Sequence, residues 1–155
     1  MPRISTIINR SGFGIILVLA VAFVIMSFVS ASLLFTASRT QDAKFQHQQL
    51  QCMVLAESGL AIGLWRVKNE PGFHTDPNYS GSPENIKAWL INEAAGLTEP
   101  LSSGNYKIIK EAHRKRLFSI GYLGPSPAES TTRKVLQLDY DMVGDQLIKK
   151  QWQEL

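Results

Sequence analysis

One stretch constrains this chain more than any other: FGIILVLAVAFVIMSFVSASLLF, from Phe13 to Phe35. No charged residue occurs between Arg10 and Arg39. At a rise of about 1.5 Å per residue, its roughly 23 residues make a helix about 35 Å long, enough to cross a bilayer core of about 30 Å. It is too hydrophobic for an amphipathic surface helix and contains no proline to force a kink. Before it comes a short basic leader, MPRISTIINRSG, with Arg3 and Arg10 and no acid. The apolar run exceeds the roughly 7–15 residues of a signal-peptide core and continues through Leu33, Leu34 and Phe35 past the small-residue site Ser30-Ala31-Ser32. The segment therefore reads as retained. Arg39 and Lys44 nearly balance Arg3 and Arg10 across it, and the acid-free leader favours a cytoplasmic N-terminus.

Helical character continues beyond the apolar run. No Gly or Pro interrupts Thr36 to Ser58, and TASRTQDAKFQHQQLQ is rich in good helix formers. The expectation is one long helix, half in lipid and half in water. Between Phe45 and Val67, the residues Phe45, Cys52, Met53, Leu55, Ala56, Leu60, Leu64 and Val67 recur at spacings near three and four, a stripe that needs a partner surface. Gly59 and Gly63 lie four apart within it. Each costs about 1 kcal/mol relative to Ala in a helix, which close approach of another backbone, from a helix or a sheet, would offset. The plainer alternative is that they loosen the helix end. Pro71-Gly72 then stops the helix.

With 155 residues, the chain has room for one soluble domain of about 100 residues after the membrane segment. Asn69 to Pro83 is a loop rich in Gly, Pro, Asn and Ser. Ser82 is placed as an N-cap, with Pro83 at the first helical position and Glu84 in the first turn. A short helix follows with Ile86, Trp89, Leu90 and Ala94 inward, ended by Gly96. Three strands come next: one alternating through Tyr106 and Ile108, one through Phe118, Ile120 and Tyr122, and one through Leu136, Leu138, Tyr140 and Met142. Short turns imply an antiparallel sheet with one wet face, its dry face covered by the stripe on the long helix. The tail after Gly144 carries Leu147, Ile148, Trp152 and Leu155 at roughly helical spacing. The fold class is α+β, divided into a leader (1–12), a membrane-spanning half-helix (13–35), an amphipathic half-helix (36–68) and a soluble head (69–155).

Little in the sequence points to catalysis. His47, His74 and His113 are scattered, no pair has ligand spacing, and no nucleophile–base arrangement can be drawn, so no enzyme activity and no cofactor are expected. Cys52, the single cysteine, excludes an internal disulfide and reads as a buried small hydrophobe. Asp139 and Asp141 share one strand face about 7 Å apart and, with Asp145, could hold calcium, although a wet strand face carries such charges without any metal. His113-Arg114-Lys115-Arg116 lacks interleaved aromatics and, at a net charge of +3, reads as a solvated turn, not a nucleic-acid surface.

The junction Arg10-Ser11-Gly12-Phe13 followed by an unbroken apolar helix resembles the class III signal of type IV pilins and type II secretion pseudopilins. Leu55-Ala56-Glu57-Ser58-Gly59-Leu60 is similar to the AE-x-GL motif of minor pilins of the PilX type, as are Ser119-Ile120-Gly121 in the middle strand and Arg133-Lys134 opening the last one. The resemblance implies a pilin-like fold and cleavage between Gly12 and Phe13 by a prepilin peptidase, with methylation of the Phe13 amine. It implies helix packing through Glu57, Gly59 and Gly63. It also implies a single-pass protein of the bacterial inner membrane, with its head in the periplasm, that joins a pilus or pseudopilus with other minor and major pilins and an assembly platform. Leu17 occupies the fifth position of a chain beginning at Phe13, where most pilins carry a glutamate. That departure speaks against a major repeating subunit and for a role in assembly or initiation near a filament tip. The rival readings are a minor pseudopilin of a type II secretion system and a single-pass anchored sensor or binding module.

Overall fold

The computed structural model describes residues 10–70, 72–75, 79–111, 113–143 and 146–155, with side chains from Gly14 onward. The leader before Arg10, the helix-stopping Pro71, and Gly144 and Asp145 ahead of the tail lie outside the described residues. The chain divides into two units, Met1–Lys44 and Phe45–Leu155. Helix α1, Arg10–Asn69, contributes to both.

In the first unit α1 is long and apolar enough to cross a membrane. The hydroxyls of Ser27, Ser30, Ser32 and Thr36 each donate to the carbonyl four residues earlier at 2.8–2.9 Å, so these polar groups are satisfied inside the helix. Backbone and side-chain donors thus need nothing from solvent, the condition a bilayer imposes. The large apolar side chains from Ile15 to Phe35 are all more than half exposed. Burying each is worth roughly 1.5–3 kcal/mol, several tens of kcal/mol together, against a typical fold stability of about 5–15 kcal/mol. This surface must therefore be covered by lipid or by other helices.

In the second unit the sheet has five strands: β1 (Leu97–Leu101), β2 (Gly104–Lys110), β3 (Arg116–Tyr122), β4 (Arg133–Val143) and β5 (Gln146–Glu154). They form an antiparallel meander in chain order. One face packs on α1 through Ala56, Leu60, Tyr106, Ile108, Leu117 and Leu136. The amphipathic stripe is buried at Cys52, Leu55, Ala56 and Leu60 and half-buried at Met53, Leu64 and Val67, while Phe45, its expected first member, is exposed. At the end of α1 the chain turns at Gly72, whose φ of 86° is a left-handed value that favours glycine.

Three expectations are corrected. The sheet has no uniformly wet face. Its second face is covered by the 3-10 turn Pro83–Asn85 and helix α2 (Ile86–Asn92), which bury Ile86, Leu90 and Ile91 against Ile109, Phe118, Ile120 and Val135. The neighbouring apolar pairs Ile108-Ile109 and Leu117-Phe118 carry this information, because consecutive apolar residues in a strand point to both faces. Ser82 makes no side-chain cap; its carbonyl instead accepts the Tyr79 hydroxyl at 2.8 Å and the Asn85 N–H at 3.0 Å.

The third correction is the tail, which is strand β5 and not a helix. Its register against β4 slips by one residue between Asp139–Gln151 and Tyr140–Lys149, so Lys150 is an extra residue, a β-bulge. The bulge puts Leu147 and Trp152 on the same face, which strict alternation would forbid. It also leaves apolar residues at the spacing that imitates a helix. The short β1 carries Pro100 at the sheet edge, and no strand was expected there.

One buried ion pair anchors the β2–β3 connection. Glu111 is fully buried and accepts the Arg116 Nε–H at 2.6 Å and the Tyr79 N–H at 3.2 Å. Removing the carboxylate strands a guanidinium that is four-fifths buried. Glu111→Ala is therefore expected to cost about 3–5 kcal/mol. Glu111→Gln, which keeps an acceptor for Tyr79, should cost less. Thermal melting of both variants checks the ranking, and equal stability of Glu111→Ala and wild type would refute it.

Candidate functional site

The residues singled out in α1 and in the middle strand meet along a single seam. A Cβ added at Gly63 would lie 2.8 Å from Leu117 Cδ2 and 3.0 Å from Ile108 Cγ2. One at Gly59 would overlap Ser119 Oγ and lie 3.0 Å from Tyr106 Cδ2. Conversely, one at Gly121 would overlap the Cys52 carbonyl oxygen and sit 2.6 Å from the Ala56 nitrogen. So α1 runs antiparallel to β3, with Gly63 over Leu117, Gly59 over Ser119, and Cys52 to Ala56 over Gly121. The pitch of the two elements explains the fit: four helical residues advance about 6 Å and two strand residues about 6.7 Å. Each step of four along α1 matches a step of two along β3.

Ser119 Oγ is buried with no hydrogen-bond partner among the described residues, a cost of about 1–3 kcal/mol. The Cys52 thiol is fully buried and donates to the Thr132 carbonyl at 3.3 Å. Burial pushes its pKa up, so it is a packed apolar group and not a nucleophile. Farther along α1, Arg66 Nη2 donates to Glu99 Oε1 at 2.6 Å, and the Tyr106 hydroxyl donates to Glu99 Oε2 at 2.5 Å. Burial first, and then the Glu99 hydrogen bond, push the Tyr106 phenol up to about 12. Sequence reasoning missed this clamp; its residues lie far apart in the chain, and no local pattern joins them.

The remaining sequence candidates are dispersed. Glu57 is exposed and points away from the seam, on the rim of a groove shared with Leu60, Leu64 and Trp152. Gly12 and Phe13 lie within the backbone of α1, and Leu17, about one turn after Phe13, is exposed. His47, His74 and His113 are all exposed. Among the described residues no group of three or more His, Cys, Asp or Glu could hold a metal ion. Asp139 accepts the Gln137 amide at 2.9 Å. Asp141 lies between Lys115 and Lys150, and the Lys115 hydrogen bond, above all, holds its carboxyl well below the usual carboxylate range. Its oxygens are thus already occupied by ammonium groups. In the basic run of the β2–β3 turn, Lys115 and Arg116 are paired with Asp141 and Glu111. Arg133 Nη1 donates to the Pro127, Ala128 and Ser130 carbonyls at 3.0, 3.3 and 2.9 Å and staples the loop before β4.

Comparison with family models, with curated proteins and with solved structures found no match.

Proposed function

We propose that this protein is a minor pilin of the PilX type, a structural subunit that takes part in the assembly or initiation of a type IV pilus near its tip. The observation that carries the reading is the meeting of two motifs that lie far apart in the chain. The AESGL segment of α1 and the Ser119-Ile120-Gly121 segment of β3 are the two sides of one seam. A tether whose helix only anchors a binding module has no need of small residues matched along its extramembrane part. An α1 whose first half exposes apolar side chains throughout also suits a helix that leaves lipid to pack among similar helices. In this reading the leader faces the cytoplasm, the head lies in the periplasm, and the partners are other pilins, a prepilin peptidase and an inner-membrane assembly platform. The work is mechanical, with no cofactor and no nucleic acid.

The test is processing. A prepilin peptidase would cut between Gly12 and Phe13 and leave a methylated Phe13 amine. Mass spectrometry of the N-terminal peptide from membranes is expected to find N-methyl-Phe13. Gly12→Val should leave the leader attached by placing a branched side chain at the scissile bond. A wild-type protein that keeps Met1 or its neighbours would favour the anchored sensor and overturn the reading.

A further inference from the structure

The sheet leaves one strand edge with open hydrogen-bonding groups and an apolar trough beside it. β5 is last in the sheet order, and among the described residues nothing pairs with its outer edge. The other terminal strand, β1, is shorter and carries Pro100, which has no N–H to offer. Its Glu99 is already held by Arg66 and Tyr106. Next to β5 the Leu155 N–H donates to the Val135 carbonyl at 3.0 Å. By the alternation of an antiparallel ladder, Gln153 and Gln151 then bond inward, and the N–H and C=O of Trp152 and Glu154 face outward. Between α1 and this part of β5 runs a groove of about 390 Å³, lined by Leu60, Leu64, Leu138 and Trp152, with Glu57 on the helix side and Lys149 on the strand side.

Charge selects the occupant. Lys150 pairs with Asp141 and Lys134 with Glu154, whereas Lys149 is exposed and has no ion pair among the described residues. The bulge at Lys150 aligns Lys149 and Trp152 on the groove side of the strand. Two β5 edges pairing antiparallel along their full length would set Lys150 of one copy against Lys150 of the other, with Lys149 opposite Gln151, and the bulge interrupts the edge at the same point. The strand is thereby guarded against its own kind, and Lys149, on the strand side of a groove that has Glu57 on its helix side, is the cation an incoming acid would meet.

We propose that the outer edge of β5 is a strand-addition site for an extended segment of a partner protein, with an acidic side chain beside Lys149 and an apolar one entering the groove between α1 and β5. The proposal does not depend on the filament reading, since it rests on the edge, the groove and the unpaired lysine alone.

The test uses the full chain in detergent micelles and a capped threonine-rich peptide carrying a glutamate and a leucine spaced to share one strand face. Its control has lysine in place of the glutamate. Hydrogen exchange is read at the amides of Trp152 and Glu154. The acidic peptide is expected to slow exchange there and to bind about fivefold more tightly than the lysine peptide, the scale of a surface ion pair. Lys149→Glu, a change at an exposed side chain whose melting serves as the folding control, should invert the preference. Equal action of the two peptides, no slowing by either, or slowing that follows protein concentration without any peptide would overturn the proposal. The last outcome would assign the edge to a second copy of this chain.

Discussion

Gly121→Ala is expected to cost the head about 3 kcal/mol or more, and Gly121→Val to prevent it from folding. The added Cβ would overlap the Cys52 carbonyl oxygen and lie 2.6 Å from the Ala56 nitrogen. Both are backbone atoms of a helix, so no rotamer change relieves the overlap. The remaining relief is to lift α1 off β3, which uncovers Leu55, Ala56 and Leu60 at roughly 1–3 kcal/mol each. Overpacking of an ordinary core costs about 1–3 kcal/mol, and this site belongs at or above the top of that range. The two helix glycines should rank below it. At Gly59 the obstacle is a serine hydroxyl on a short side chain, so Gly59→Ala should lose about 1–2 kcal/mol. At Gly63 the obstacles are the two Leu117 methyls and Ile108 Cγ2, which are side-chain ends and not backbone. The gain of about 1 kcal/mol in helix propensity nearly offsets that strain, and Gly63→Ala should lie within about 1 kcal/mol of wild type. Replacing both helix glycines with Leu should damage the head, although it favours the isolated helix. Urea titration of the full chain in detergent measures the series. A Gly121→Ala protein that melts with wild type would mean that α1 does not press on β3 at this point.

The same contacts show what was legible in the sequence. The long helix could be read directly, because an uncharged apolar run followed by strong helix formers has no competing fold. Gly59 and Gly63 raise a close approach by their cost, beside the plainer alternative of a loosened helix end. Their partner was not identifiable, since a helix and a sheet both accept a glycine face. Only the geometry of β3 distinguishes the two. Ser119-Ile120-Gly121 stood out by resemblance and not by physics; a glycine inside a strand signals a close backbone, yet nothing local names it as Cys52 to Ala56. The tail reads as a helix for a definite reason. A single bulged residue at Lys150 converts a period of two into a spacing that mimics a helical turn, and a bulge leaves no mark in composition. The second covered sheet face was visible in the pairs Ile108-Ile109 and Leu117-Phe118. It was outweighed by the clean alternation of β4, whose outer positions Gln137, Asp139 and Asp141 are polar.

Leu17 leads to the second large effect: under the proposed function, this protein expressed without other filament subunits should make no filaments. The argument starts from the amine that processing at Gly12 would free on Phe13. In a bundle of apolar helices that amine is a positive charge in a low dielectric, and leaving it unpaired costs several kcal/mol, on the order of a thousandfold or more in each association step. Leu17 lies in a stretch of α1 whose neighbours Ile15, Ile16, Val18 and Leu19 are equally apolar, so no side chain nearby can accept the charge. A subunit placed beside Leu17 therefore finds no counter-charge for its own amine. This chain can still present its amine to a different subunit that carries a glutamate. The asymmetry suits a subunit at the end of a filament or one inserted rarely. Leu17→Glu is expected to raise its incorporation severalfold or to disturb initiation by giving the tip a second docking site. Quantitative immunoblotting of sheared, purified filaments from wild-type and Leu17→Glu cells gives the copy number per filament. Wild-type protein present in stoichiometric amount along the fibre would sink this account, because some other group in the bundle would then have to neutralise the Phe13 amine.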